Sequence, residues 1–176
     1  DLELARDRFC FCCATSLRHS DLELLKKSNF DTPDDPSSFS IVSKKTNDAL
    51  TIYLNEYSKS LYLKYKDRES NNGLLFPKKS NQKMNKCLKK IACRLGITRE
   101  VSKTEYCGND RSDITFKICD IIATHTARRT FVVHCAEKGW TEEMIRTYTG
   151  HEDFDAMRPY FAIGDKQRQA FMEKHF

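Results

Sequence analysis

Hydrophobic positions keep helical register over most of the chain and switch to strand-like alternation in two places. Residues 3–17 read as an apolar helix in which Cys10, Cys12 and Cys13 alternate with Phe9, Phe11 and Ala14. Arg18 falls in a short break, and Ser20 with Asp21 then predicts a cap for a second helix reaching about residue 27. Residues 38–45 and 49–54 are rich in β-branched side chains and flank Thr46-Asn47-Asp48, a hairpin pattern that puts Lys44 and Lys45 at the tip. A helix is expected over 55–65, followed by a polar surface loop over 66–73 that leads to Phe76-Pro77. From Ser80 the pattern is strongest: Met84, Cys87, Leu88, Ile91 and Leu95 recur on one helical face and Gly96 stops it.

Residues 98–122 look like a second pair of extended arms around Cys107-Gly108-Asn109-Asp110, and no chemistry attaches to them. In the last third, Thr124 precedes a helix to about residue 138 and Gly139 closes it; Thr141-Glu142-Glu143 opens the next, which Gly150 ends. A further helix is expected to carry Tyr160, and 165–176 reads as an amphipathic helix with Ala170, Phe171 and Met172 as docking candidates. The pattern as a whole predicts an α+β, mainly α-helical fold with a small antiparallel β-hairpin sheet. One compact domain is expected over 1–176, and its abrupt helical start is read as that of a fragment.

Composition changes this picture little. A net charge of +5 permits a polyanionic partner without demanding one. No apolar run approaches the ~20 residues that cross a bilayer, so a soluble, cytoplasmic protein with no membrane partner is expected. The eight cysteines lack paired zinc-ligand spacing, so free thiols in a reducing compartment are expected, with no metal and no cofactor. Lys83, Lys86, Lys90 and Arg94 form a basic stripe beside the apolar face of their helix. Such a stripe serves equally as a solvated surface or as a row of phosphate contacts.

The candidate chemistry is concentrated near the end. His125 and Arg128, in His-x-x-Arg spacing, share one helix face; His151 follows the helix-ending Gly150, and Tyr160 comes after it. A tyrosine hydroxyl, with an ordinary pKa of about 10, attacks a phosphodiester only with a base nearby and with strong stabilisation of the anionic transition state. Arg18 and Arg128 suit the second task, because a guanidinium stays charged and donates two parallel hydrogen bonds. His125 is the candidate base, His151 a donor to the same phosphate, and Lys45 a proton source for the departing 5′ oxygen. Taken singly, each has an ordinary structural use: Tyr160 in a core, His151 after a glycine cap, Arg18 and Lys45 as solvated charges. It is their joint order that points to chemistry.

That order resembles the tyrosine recombinases, the phage-integrase family, over nearly the whole chain. Ala14-Thr15-Ser16-Leu17-Arg18, followed by Asp21, is similar to the family's first-arginine motif, with Ser16 in place of the usual glycine. Ser43-Lys44-Lys45-Thr46 resembles the catalytic-lysine turn, and Lys45 fits it better than Lys44. Thr124-His125-Thr126-Ala127-Arg128 resembles the central box, where the spacing selects Arg128 over its neighbour Arg129. Thr149-Gly150-His151 and Met157-Arg158-Pro159-Tyr160 complete the set. Phe76-Pro77, Ser80-Asn81-Gln82 and Asn85 are similar to the integrase branch found on mobile elements of anaerobic gut bacteria.

The resemblance implies a site-specific recombinase or integrase. Tyr160 would attack a phosphodiester to form a 3′-phosphotyrosyl link, and strand exchange would follow without metal or ATP. Its catalytic residues would be Arg18, Lys45, His125, Arg128, His151 and Tyr160, with Lys44, Lys83, Lys86, Lys90 and Arg129 as DNA contacts. The partner would be double-stranded DNA at attachment sites. The full-length protein would act as a homo-tetramer, and this chain, without the usual N-terminal core-DNA-binding domain, would bind DNA weakly and could remain monomeric. Asp21 would orient a helix or Arg18, or merely cap. Three other readings stay open: a type IB topoisomerase-like enzyme, a DNA-binding relative that has lost catalysis, and a zinc-dependent interaction module.

Overall fold

The computed structural model describes residues 1–44, 49–68, 71–107, 110–150 and Glu173, without the side chains of 71, 103–107 and 110–111. Within these, the chain runs α1 (Leu2–Thr15), α2 (His19–Leu22), β1 (Ser38–Val42), β2 (Ala49–Tyr53), α3 (Glu56–Lys66), α4 (Asn81–Arg94), β3 (Glu100–Cys107), β4 (Asp110–Lys117), α5 (Ile118–Ile121), α6 (Thr124–Glu137) and α7 (Glu142–Thr149). The result is the expected mainly helical α+β domain with two antiparallel hairpins, β1–β2 and β3–β4.

The helix boundaries have local causes. Asn55 caps α3 by accepting from the Ser58 N–H at 2.8 Å, Ser80 caps α4 and Thr141 caps α7, each satisfying a first-turn N–H that has no partner within the helix. Gly150 ends α7 at φ +60, and a Cβ there would also lie 3.0 Å from Leu50 Cδ1, so both backbone and space require glycine. The predicted hairpin forms with Ser38 opposite Tyr53 and Val42 opposite Ala49, its first arm ending at Val42 where the sequence pattern carries it to 45.

α1 is the central strut, packing against α3, α4 and α6. Its buried face, with Phe11 at the centre, meets Phe39 of β1 and Phe76; Phe30, Tyr62 and Tyr65 extend the same aromatic core. A second cluster joins Phe131, Val132 and Cys135 of α6 to Ile145 of α7, with Trp140 and Tyr148 against it. The Tyr148 hydroxyl donates to the Tyr53 carbonyl at 2.6 Å and ties α7 to the first hairpin.

Several expectations need correction. The second helix stops at Leu22 with Arg18, not Ser20, at its N-cap position, and a separate 3₁₀ turn occupies Lys27–Asn29. Leu95 does not join the buried face of α4: it follows the last helical residue, is 70% exposed, and leaves Met84, Leu88 and Ala92 to make the contact. The arms over 98–122 end at Lys117, and the rest forms the single turn α5. Thr124 lies inside α6 rather than before it. Apart from Glu173, which is helical, residues 151–176 and the elements expected there lie outside the described residues. Among the described residues, no helix is long and apolar enough to cross a membrane.

Candidate active site

The site begins where α1 ends. Ser16 turns into the left-handed region, φ 60 and ψ 9, with its N–H donating to the Cys12 carbonyl at 2.9 Å. This sharp turn leaves Arg18 extended at the head of α2. The glycine-to-serine departure therefore falls on a position that does need positive φ.

Arg18 is held by two neighbours. Its Nη1 donates to Ser43 Oγ at 3.2 Å and lies 3.9 Å from Asp21 Oδ2. The buried Asp21 also accepts the Lys44 N–H at 3.1 Å, so one carboxylate joins the arginine to the strand end that precedes Lys45. Asp21 thus contacts both Arg18 and the Lys44 backbone, and α2 has no side-chain cap hydrogen bond.

Arg128 comes from the second turn of α6 and is only 4% exposed. Its Nη1 donates to the Ser16 carbonyl at 2.7 Å and its Nη2 to the Thr149 carbonyl. One guanidinium thus bridges the turn before Arg18 and the last residue of α7, immediately ahead of Gly150-His151. Burial, with the nearby Arg18 charge adding to it, pushes Arg128 down to about 9, and Asp21 opposes the shift. The group stays cationic at neutral pH, in surroundings that an incoming anion would relieve.

Arg18, His125 and Arg128 line one cleft of about 390 Å³, together with Leu17, His19, Ser20, Asn81 and Thr124. Of the six candidate catalytic residues, three thus line the same cleft, Arg18 far in the chain from His125 and Arg128. Lys45, His151 and Tyr160 lie outside the described residues. Lys83, Lys86, Lys90 and Arg129 are exposed. Lys44 is exposed too, in a turn whose backbone meets Asp21.

His19, Ser20 and Thr124 were not singled out as site residues by the sequence. The only local signal for His19 and Ser20 is their place directly after Arg18. His19 Nε2 lies 3.1 Å from the Lys79 carbonyl, which as an acceptor selects the tautomer protonated there. Burial, helped by the Arg8 charge, lowers its pKa, so the ring is neutral at pH 7.

Among the described residues one group has metal-ligand geometry, Cys93, Cys119 and Asp120, with ligand atoms within 4.8 Å of one another. None of the three lines the cleft. Cys10, Cys12, Cys13, Cys87 and Cys135 are also free thiols.

Residues 4–167 match the sequence profile described as the phage integrase family. Among solved structures, the chain is similar to XerA recombinase at 17% identity and a TM-score of 0.66, covering 98% of this chain and 63% of that one. It is also similar to XerH site-specific recombinase bound to palindromic difH substrate, at 16% identity and a TM-score of 0.67 over 96% of this chain and 45% of that one. The Tn1549 transposon integrase in complex with circular intermediate DNA matches at 17% identity and a TM-score of 0.61, over 97% and 57%. At such identities the likeness establishes the fold, and the chain spans less than two thirds of each of these proteins. No curated protein matches the chain.

Proposed function

The chain belongs to the phage integrase family, and from that premise we propose that it is the catalytic domain of a site-specific DNA recombinase that cuts and rejoins DNA through Tyr160. The observation that carries this reading is the convergence of Arg18, His125 and Arg128 on one cleft. Two guanidiniums close enough for each charge to oppose the other favour a bound phosphodiester and favour its more highly charged transition state further. Both are pre-oriented, Arg18 by Ser43 and Asp21 and Arg128 by two carbonyls, so little reorganisation accompanies the reaction.

In the reaction, the Tyr160 oxygen attacks phosphorus and gives its proton to His125. The bond to the 5′ oxygen breaks and Lys45 protonates that oxygen, leaving a 3′-phosphotyrosyl link. A 5′ hydroxyl from a partner strand attacks the link and releases the tyrosine, so bond energy is conserved without a metal or nucleotide. His151 donates to the same phosphate. The exposed Lys83, Lys86 and Lys90 on α4, with Lys44 and Arg129, contact the flanking backbone. We further infer that the whole protein includes a DNA-clamping segment, works as a tetramer on paired sites, and acts in a bacterial cytoplasm to move a mobile element.

The test is adduct trapping on a nicked suicide duplex taken from the element's ends. The unsubstituted protein is expected to give a denaturant-stable adduct. Tyr160→Phe is expected to keep DNA binding and lose the adduct, and adduct retained in that variant would refute the nucleophile assignment.

A further inference from the structure

The helix that carries His125 and Arg128 makes one hydrogen bond at its start from its own sequence, Thr126 Oγ1 accepting the Ala123 N–H at 3.2 Å, but its N-cap residue supplies no side-chain acceptor. Ala123 stands at the N-cap position and has no side-chain oxygen to offer the first-turn N–H groups. The missing acceptor comes from α4. Asn85 Oδ1 takes the Thr124 N–H at 2.9 Å, and Asn81 Oδ1 takes the Thr124 hydroxyl at 2.7 Å. Asn81 and Asn85 lie four residues apart on one face of α4, so together they grip the residue immediately before His125. Asn81 also lines the cleft beside Thr124 and His125.

A neighbouring helix that supplies both acceptors for Thr124 ties the first turn of α6 to α4, which the local Thr126 bond does not do. We propose that Asn81 and Asn85 are positioning residues for His125, fixing the imidazole in the cleft through Thr124. This rests on the recombinase reading and adds a second pair of residues to it. The two asparagines differ in tolerance. Asn85 does not line the cleft, and a carboxylate in its place would still accept from Thr124 at a helix N-terminus, where negative charge is favoured. Asn81 lines the cleft, and a carboxylate there would repel the phosphate.

The experiment is single-turnover cleavage of the suicide duplex at saturating DNA by the full-length protein, with DNA affinity and melting temperature measured in parallel. Displacing a proton-transfer group by a fraction of an ångström to an ångström slows cleavage roughly 10- to 100-fold, so Asn85→Ala is expected to lose that much with affinity kept within about twofold. Asn85→Asp is expected to return to within about threefold of the parent, and Asn81→Asp to stay slow. Because the pair acts through His125, adding Asn85→Ala to His125→Ala is expected to cost no further rate, and Asn81→Ala with Thr124→Val no more than either alone.

Parental cleavage rates in Asn85→Ala, failure of Asn85→Asp to rescue, or a full further loss on top of His125→Ala would each overturn the proposal while leaving the recombinase reading intact. Absence of any adduct with the unsubstituted protein would overturn both.

Discussion

Replacing Ser16 by glycine is expected to stabilise the protein, although it removes buried atoms. Ser16 sits at φ 60 with 1% of its surface exposed, and its hydroxyl has no hydrogen-bond partner among the described residues. A side chain in the left-handed region costs about 1 kcal/mol or somewhat more, which glycine removes. The orphaned hydroxyl costs about 1–3 kcal/mol of lost hydration, which also disappears. Against these stand about 0.5–1 kcal/mol of extra chain entropy for glycine in the unfolded state and about 0.8 kcal/mol for the lost methylene. The balance favours Ser16→Gly by on the order of 1 kcal/mol, a rise of about 2–4 °C in melting temperature for a domain of this size.

Calorimetric melting of the parent, Ser16→Gly and Ser16→Ala separates the contributions, because alanine removes the hydroxyl and keeps the strained Cβ. Alanine is expected to melt between the other two. The Ser16 carbonyl that receives Arg128 survives both changes, so cleavage is expected to stay within about twofold of the parent. A melting temperature for Ser16→Gly at or below that of the parent, or an alanine variant more stable than the glycine one, would refute the account of this turn.

Two further outcomes follow from the same geometry. Arg128→Lys keeps the charge but cannot reach the Ser16 and Thr149 carbonyls with one planar fork, so cleavage is expected to fall at least about 100-fold and melting temperature to drop as well; near-parental cleavage would show that charge alone suffices. Asp31 accepts hydrogen bonds from Ser37, Ser38 and Thr32, the Ser37 hydroxyl foremost, and is held down at about 2. Its contribution is therefore present above the unfolded value of about 3.9 and lost as pH falls toward 2, so the melting curves of the parent and Asp31→Ala are expected to differ at pH 6 and converge near pH 2. A gap that stays constant over that range would show that the carboxylate's charge plays no part.

Sequence by itself determined the order of helices and hairpins, because these follow from local periodicity and from punctuation by Ser80, Gly139, Thr141 and Gly150. It also determined the candidate set, because His-x-x-Arg spacing places His125 and Arg128 on one helix face whatever surrounds them. Where local pattern failed, tertiary contact had decided. Leu95 has the right spacing for the α4 face but falls beyond the helix end, and Thr124 looks like a cap but is itself gripped by Asn81 and Asn85 from another helix.

Only the tertiary structure decided that Ser16 must adopt positive φ, that Asp21 joins Arg18 to the strand end before Lys45, and that Arg128 bridges the carbonyls of Ser16 and Thr149. Each contact that Asp21 makes with the Lys44 N–H, and that Arg128 makes with Ser16 and Thr149, is a bond between segments distant in the chain. Its energy depends on where packing of α1 against α6 and of the first hairpin against α2 puts a donor and an acceptor, and residue spacing along one segment carries no record of that position.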